Sequence, residues 1–229
     1  MTEPAAQSPL LPLPWAVWVL LLPIAAVEAV LQAAALGWIG GPEGIGWRLA
    51  AVERFGLAGA LLSHQWETGR LGWAEAARLW SFMAVHPSGL VAVLALALIA
   101  ALGKAVGQVL PGPALLVLAG VAAPVGALVW AVGLGAPVWL IGAYPAVFAL
   151  LGAFAWLLWR GHVAQGADRQ RFAALIGLLL VLRVAVGLWI GGGQDWIADL
   201  AAFAFGLAIA PGLMPGAMGR LRDRLRRRG

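Results

Sequence analysis

The sequence predicts an all-α integral membrane protein whose chain crosses the bilayer six times. Of its 229 residues, 62% are hydrophobic and only 11% are charged, whereas a soluble domain carries about 25% charged residues. The mean hydropathy is +0.91. Six apolar runs are separated by more polar connections, and a spanning helix needs about 20 such residues. The runs cover residues 14–36, 82–102, 113–133, 145–159, 172–190 and 196–214.

The distribution of basic residues predicts the orientation of these spans. We expect one membrane domain over residues 14–214, an N-terminal tail over 1–13 and a basic C-terminal tail over 215–229, which holds six arginines. Placing both tails in the cytoplasm puts most lysines and arginines on the inner side, as the positive-inside rule requires. The prediction is a multi-pass protein of a bacterial inner membrane. We expect the C-terminal tail to contact anionic lipid head groups and not nucleic acid.

The first outside connection, residues 37–81, is long and rich in tryptophan. Long connections in compact proteins usually carry function or structure of their own. Its charged residues recur among apolar ones at helical spacing, which predicts short amphipathic helices lying in the membrane interface. An ordinary aromatic belt is the alternative. The residues proposed to meet a partner or the interface are Trp38, Trp47, Arg48, Trp66, Trp73, Trp80 and His86.

The fourth apolar run starts at a proline, which indicates a helix that begins inside the membrane. Residues 142–152 read GAYPAVFALLG. Pro145 suits the first helical position, because its missing N–H group would have no helical partner there, and Tyr144 before it is pushed towards extended backbone. A loop at membrane depth must be covered by protein or line a wet cavity. We therefore expect a short central helix of about 22 Å, wrapped by the other spans.

This segment resembles the GASG-A-V-F-x-L-L-G motif of the rhomboid family of intramembrane serine proteases. Tyr144 stands at the nucleophilic serine and Pro145 at the glycine that follows it. Residues 198–208, ADLAAFAFGLA, are similar to the family segment that carries the catalytic histidine, and Asp199 stands at that histidine. In the same segment small residues recur four apart, which lets this helix pack closely on a neighbour; the resemblance implies that the neighbour is the fourth span. These small residues are Ala198, Ala202, Gly206 and Ala210.

A third segment, residues 78–86, is similar to the approach to the second rhomboid helix. We expect His86, with Pro87 and Ser88, to cap that helix at the interface. In the family this histidine begins the pattern HxxxxHxxxN, whose later His and Asn hold the oxyanion. Those two positions are Val91 and Ala95 here, and neither side chain can donate a hydrogen bond. The loss of one such donor slows a serine hydrolase by about 10²–10³-fold.

The Trp47-Arg48 dipeptide is a candidate match to a Trp-Arg pair in the long first loop of rhomboids. The whole resemblance covers about residues 78–210 and implies a six-span rhomboid-like bundle with a membrane-embedded first loop. No Ser, Thr or Cys follows Gly89, so a displaced nucleophile would have to come from Ser63 beside His64 or from Ser88 beside His86. No spacing of ligands predicts a metal, and we expect no cofactor.

Charged residues within the apolar spans are expensive and need partners. Glu28, Arg183 and Asp199 are all predicted to lie in the outer half of the bilayer. We expect a buried polar cluster in which Arg183 neutralises Asp199 or Glu28 and in which the hydroxyl of Tyr144 is bonded to a carboxylate.

These observations favour an inactive rhomboid-like protein that binds other membrane proteins as an adaptor, a chaperone or an accessory subunit. One alternative is an intramembrane serine-type endopeptidase with relocated catalytic residues. Another is a lipid-handling or transport protein that uses the buried Glu, Arg and Asp side chains.

Overall fold

The chain is a multi-pass membrane protein built from long apolar helices. A computed structural model describes residues 13–69, 72–134, 138–165, 169–189 and 194–217; most of the two predicted tails lies outside these residues. Within this part, five helices are long and apolar enough to cross a membrane. They are α1 (Trp15–Ala35), α5 (Gly89–Gly107), α6 (Gly112–Leu134), α7 (Tyr144–Gln165) and α9 (Trp196–Leu213).

The predicted fifth span corresponds to α8 (Arg169–Trp189), whose 21 residues form a helix of ordinary spanning length. Its residues from Phe172 to Trp189 are apolar except for Arg183, but it is not one of the five helices named above. The all-α prediction agrees with the structure, and the sixth crossing stays a prediction.

The connection between α1 and α5 consists of short helices. A 3₁₀ turn (Gly41–Gly46) and the helices α2 (Trp47–Phe55), α3 (Gly59–Glu67) and α4 (Trp73–Ser81) follow each other, and a second 3₁₀ turn (Phe82–Ala84) leads towards α5. We call residues 37–84 the first-loop segment. Its short helices agree with the pattern of charged residues in the sequence.

A two-residue strand pairing ties the first-loop segment to the entrance of α7. The strands β1 (Leu57–Ala58) and β2 (Trp139–Leu140) are antiparallel, with Leu57 opposite Leu140. The indole N–H of Trp80 also donates to the carbonyl oxygen of Gly120 on α6 at 2.8 Å. These bonds join parts of the chain that lie 40 or more residues apart, and no sequence pattern indicated them.

The second span begins later than its hydropathy predicted. The apolar run starts at residue 82, but the helix starts at Gly89, because Pro87 disfavours helical backbone at the residue before it. Ser88 then serves as the N-cap, and its Oγ accepts from the amide of Val91 at 3.4 Å. The predicted capping role therefore belongs to Ser88 and not to His86.

The prediction of a short fourth helix was wrong. α7 has 22 residues and continues to Gln165, which makes it about 33 Å long. The apolar run ends near Trp159, but helical backbone tolerates the arginine that follows it, so hydropathy underestimated the length. The predicted central position of this helix agrees with the structure, because α7 packs against α5, α6, α8 and α9.

Small residues bring α9 into backbone contact with two neighbours. A Cβ added at Gly206 would collide with the carbonyl oxygen of Ala149 on α7, and one added at Gly152 of α7 would collide with the carbonyl oxygen of Phe203. On its other side, α9 meets Gly126 of α6 at Ala198. The spacing of small residues predicted close packing on a neighbour, and that the neighbour includes the fourth span is what the family resemblance implied.

We expect Gly206→Ala to lower the stability of the bundle by about 1–3 kcal/mol, because the added methyl group has no space between α9 and α7. Thermal unfolding in mild detergent measures the effect. The control is Gly133→Ala on α6, where an added Cβ meets no atom within 4 Å. Equal melting temperatures for the two variants would contradict the close contact.

Candidate functional site

The candidate site surrounds the N-terminus of α7, where the family resemblance places a nucleophile. Gly142 has a positive φ of 98°, a conformation that suits glycine, and its amide donates to the carbonyl oxygen of Phe82 at 2.9 Å. The amide of Ala143 donates to Nε2 of His86 at 3.2 Å. Tyr144 follows as the first residue of α7 and is half-buried. The turn into α7 is thus held by the segment that precedes α5.

His86 is fully buried, which corrects its predicted place at the interface. Because Nε2 accepts from Ala143, the geometry assigns the proton of the neutral ring to Nδ1, and Nδ1 has no hydrogen-bond partner among the described residues. Burial lowers the pKa of His86 below its ordinary value of 6.5. The Arg48 guanidinium lowers this pKa further, whereas the Glu28 carboxylate raises it. The carbonyl of Ala84 also raises the pKa, although it does not form a hydrogen bond with the ring.

Glu28 is paired with Arg48 of α2 and not with Arg183, which corrects the prediction of one common cluster. The two nitrogens of the Arg48 guanidinium donate to the two carboxylate oxygens of Glu28 at 2.6 and 3.2 Å. One of them also donates to the carbonyl oxygen of His86 at 2.6 Å. Arg48 thereby connects α1, the first-loop segment and the residue that holds the start of α7. We call Glu28, Arg48 and His86 the first polar group.

Arg183 of α8 is paired with Asp199 of α9, one of the two expected arrangements. Its Nε donates to Oδ2 of Asp199 at 2.7 Å and its Nη2 lies 2.6 Å from the same oxygen. The same Nη2 donates to Asp195 at 3.0 Å. The Asp199 side chain is 2% exposed, so an arginine partner is required at this depth. We call Arg183, Asp195 and Asp199 the second polar group.

Asp195 was missing from the predicted cluster. It lies four residues before Asp199 at the start of α9, a spacing that puts both carboxylates on one helix face. That spacing was visible in the sequence and could have identified Asp195 as a second partner of Arg183.

Tyr144 lies close enough to Arg183 and Asp199 to interact with them electrostatically. In the described part of the chain, however, its hydroxyl makes no hydrogen bond to either aspartate. The predicted bond between Tyr144 and a carboxylate is therefore not formed in this structure.

Val91 and Ala95, the residues at the positions of the family's oxyanion donors, have apolar side chains and apolar surroundings. Ala95 is fully buried in the same core cluster as Ala143, against which Tyr144 packs. Val91 lies in the first turn of α5, and its amide is bonded to Ser88. Neither position presents a polar side chain towards Tyr144.

The serine and histidine pairs close in sequence do not form hydrogen-bonded pairs among the described residues. Ser63 donates to the carbonyl of Gly59 at 2.7 Å, and Ser88 is used as the cap of α5. The described residues also contain no group of three or more His, Cys, Asp or Glu side chains that could hold a metal ion.

The tryptophans of the first-loop segment differ in exposure. Trp73 is 93% exposed and Trp38 is 77% exposed, whereas Trp47 and Trp80 are about half covered. The side chain of Trp66 lies outside the described residues. Two tryptophans therefore stand out from the surface on short helices or turns that are bonded to the bundle.

No protein-family model matches this chain, and a search of curated proteins found no match.

We expect Arg183→Gln to lower stability by about 3 kcal/mol, because it leaves the buried carboxylate of Asp199 without its partner. Asp199→Asn combined with Arg183→Gln restores part of this loss, since no buried charge is then left unpaired; the remaining carboxylate, Asp195, is half exposed. Thermal unfolding in detergent measures both, with Arg54→Gln, an exposed arginine, as the control. An unchanged melting curve for Arg183→Gln would exclude a stabilising role for the second polar group.

The lowered pKa of His86 predicts a pH dependence of stability. The unfolded state binds a proton near pH 6.5, while the folded state resists it, so the stability that His86 contributes is complete above that pH and is lost as the pH falls through the lowered pKa. We expect His86→Gln, which keeps an acceptor for Ala143, to lose less stability than wild type between about pH 7.5 and about pH 5. The control is His64→Gln at an exposed position; parallel curves for wild type and His86→Gln would contradict this role.

Proposed function

We propose that this chain is a rhomboid-like pseudoprotease that binds other integral membrane proteins as an adaptor, a chaperone or an accessory subunit of a membrane complex. The observation that carries the proposal is the engagement of Asp199, which stands where the family has its catalytic histidine. Its carboxylate is buried and bound by Arg183. A carboxylate held in this way acts as an ion-pair partner, whereas a general base must be free to take a proton from its nucleophile.

The other positions of the family pattern support the same interpretation. Tyr144 replaces the serine nucleophile, and the apolar side chains of Val91 and Ala95 replace the oxyanion donors. A helical frame that keeps its close packing without this chemistry is suited to binding, because the surfaces that admit a membrane protein do not depend on the catalytic groups.

The first-loop segment supplies one proposed binding surface. Trp73 is almost fully exposed and Trp38 is largely exposed. Aromatic side chains are enriched in protein interfaces. The segment is held in place by the bond of Arg48 to Glu28 and by the β1–β2 pairing. A fixed platform reduces the conformational entropy lost on binding.

The lateral faces of α5 and α8 supply a second proposed surface, because family members admit substrate helices between the corresponding spans. On α5, Leu90 is 72% exposed and Val93 is 60% exposed; on α8, Val181 is 66% exposed. These side chains are apolar, as contact with a membrane-spanning partner requires.

The proposal includes the location and orientation predicted from the sequence: a bacterial inner membrane, six spans and both termini in the cytoplasm. The partners are other integral membrane proteins, with anionic lipid head groups at the C-terminal tail and without nucleic acid. The transport alternative loses support, because Glu28 and Asp199 belong to two separate polar groups. The relocated protease loses support, because no described serine is bonded to a histidine.

The test is purification of the tagged protein from its native membrane in mild detergent, with quantitative mass spectrometry of what accompanies it. We expect a membrane partner at near-equal stoichiometry, reduced by about thirtyfold in affinity for Trp73→Ala, since an aromatic hot spot contributes about 2 kcal/mol. The matched control is Trp18→Ala, which removes a half-exposed tryptophan near the start of α1, at the end of that helix away from the first-loop segment.

Recovery of the protein alone in repeated preparations would contradict the proposal. A partner retained equally by both variants would show that the first-loop segment is not the binding surface. The faces of α5 and α8 would then be the remaining candidate. Labelling by a serine-directed fluorophosphonate would instead favour the protease alternative.

A further inference from the structure

A groove between α7, α8 and α9 is not used by the proposed function. Its volume is about 470 Å³, within the range of roughly 300–1,000 Å³ that is typical of small-molecule sites. It is open along one side and its walls are apolar. The lining residues are Ala155, Trp156, Trp159, Ala173, Ile176, Gly177, Leu180, Phe203 and Leu207.

Small residues on α8 give the groove its width. A Cβ added at Gly177 would meet no atom within 4 Å, and Ala173, one helical turn earlier, has only a methyl group. Large side chains on the facing helices, Trp156 and Phe203, form the opposite wall. The space is therefore an open apolar groove, which suits a flexible apolar chain.

An arginine lies against one of the aromatic residues that line the groove. The guanidinium of Arg160 lies over the ring of Trp156 at 5.8 Å from its centroid, and Trp156 itself lines the groove. This contact holds the cation beside the apolar channel. Arg160 is exposed, and none of the described carboxylates pairs with it.

The acidic residues that the structure describes lie towards one end of the bundle. α5 and α7 pack together, and both begin near the contact between His86 and Ala143. Lys104 and Arg160 lie near the C-terminal ends of these two helices, so both are at the other end of the bundle. All the acidic residues that the structure describes lie in the first-loop segment or in the two polar groups: Glu28, Glu43, Glu53, Glu67, Glu75, Asp195 and Asp199. The groove thus opens at a basic end with no described acidic residue.

We propose that this groove binds one acyl chain of an anionic phospholipid, with the phosphate of its head group at Arg160. A guanidinium matches the geometry of a phosphate and binds it with two parallel hydrogen bonds. Basic pockets between spanning helices are known to take anionic lipid head groups. A zwitterionic lipid of the same chain length fills the groove equally well but presents a less favourable charge to Arg160.

The experiment is native mass spectrometry of the full chain in detergent, with phosphatidylglycerol or phosphatidylcholine of identical acyl chains added. We expect retention of one phosphatidylglycerol and weaker retention of phosphatidylcholine. Arg160→Gln is expected to weaken phosphatidylglycerol binding about fivefold, the effect of one arginine near an anionic surface. Its matched control is Arg54→Gln, because Arg54 also lies over an aromatic ring at 5.8 Å but in the first-loop segment.

A second variant tests the groove independently of the charge. Gly177→Leu places a side chain in the channel and is expected to weaken the binding of both lipids, whereas Gly133→Leu on α6, where space is also free, leaves binding unchanged. Removal of residues 218–229 distinguishes binding in the groove from binding at the arginine-rich tail. We expect the truncated protein to retain one bound lipid.

Equal retention of the two lipids by wild type and Arg160→Gln would overturn the proposal. So would loss of the bound lipid on removal of the tail, which would place the head group there. A dimer that Gly177→Leu abolishes would show that the groove holds a second copy of the chain, and this too would overturn the lipid site. All these results are independent of whether the chain binds another membrane protein.

Discussion

Charged side chains in apolar helices need partners, and the architecture of this protein follows from the two pairs that supply them. Arg183 on α8 binds Asp199 on α9, and Arg48 on α2 binds Glu28 on α1. Each pair joins a peripheral element to a helix of the bundle. In an apolar environment the loss of either partner leaves an unsatisfied charge, so each pair fixes the position of its peripheral element.

The close packing of α9 determines where the second of these pairs lies. Gly152 and Gly206 bring the backbones of α7 and α9 together, and Gly126 brings α6 against the other side of α9. Because side chains of larger size do not fit there, the register of α9 against α7 is set by shape. This register places Asp199 at the depth of Tyr144, where α8 can reach it with Arg183.

The first polar group connects the first-loop segment to the entrance of α7. Arg48 binds both the carboxylate of Glu28 and the backbone carbonyl of His86. The ring of His86 accepts a hydrogen bond from the amide of Ala143. Glu28 is therefore connected to the start of α7 by three successive contacts, through Arg48 and then His86. The proposed partner surface and the turn into α7 are held by the same side chains, while the proposed lipid groove lies at the other end of the bundle.

The sequence by itself determined the class of the protein, the approximate position of every long helix and the small-residue face of α9, because hydropathy and spacing are local properties of the chain. It also identified Arg183 and Asp199 as residues in need of partners. Only the tertiary structure decided that Glu28 binds Arg48, that His86 is buried against Ala143 and that β1 pairs with β2. These contacts join segments up to about 80 residues apart, and the choice among several opposite charges depends on which helices pack together, a non-local property that periodicity does not encode.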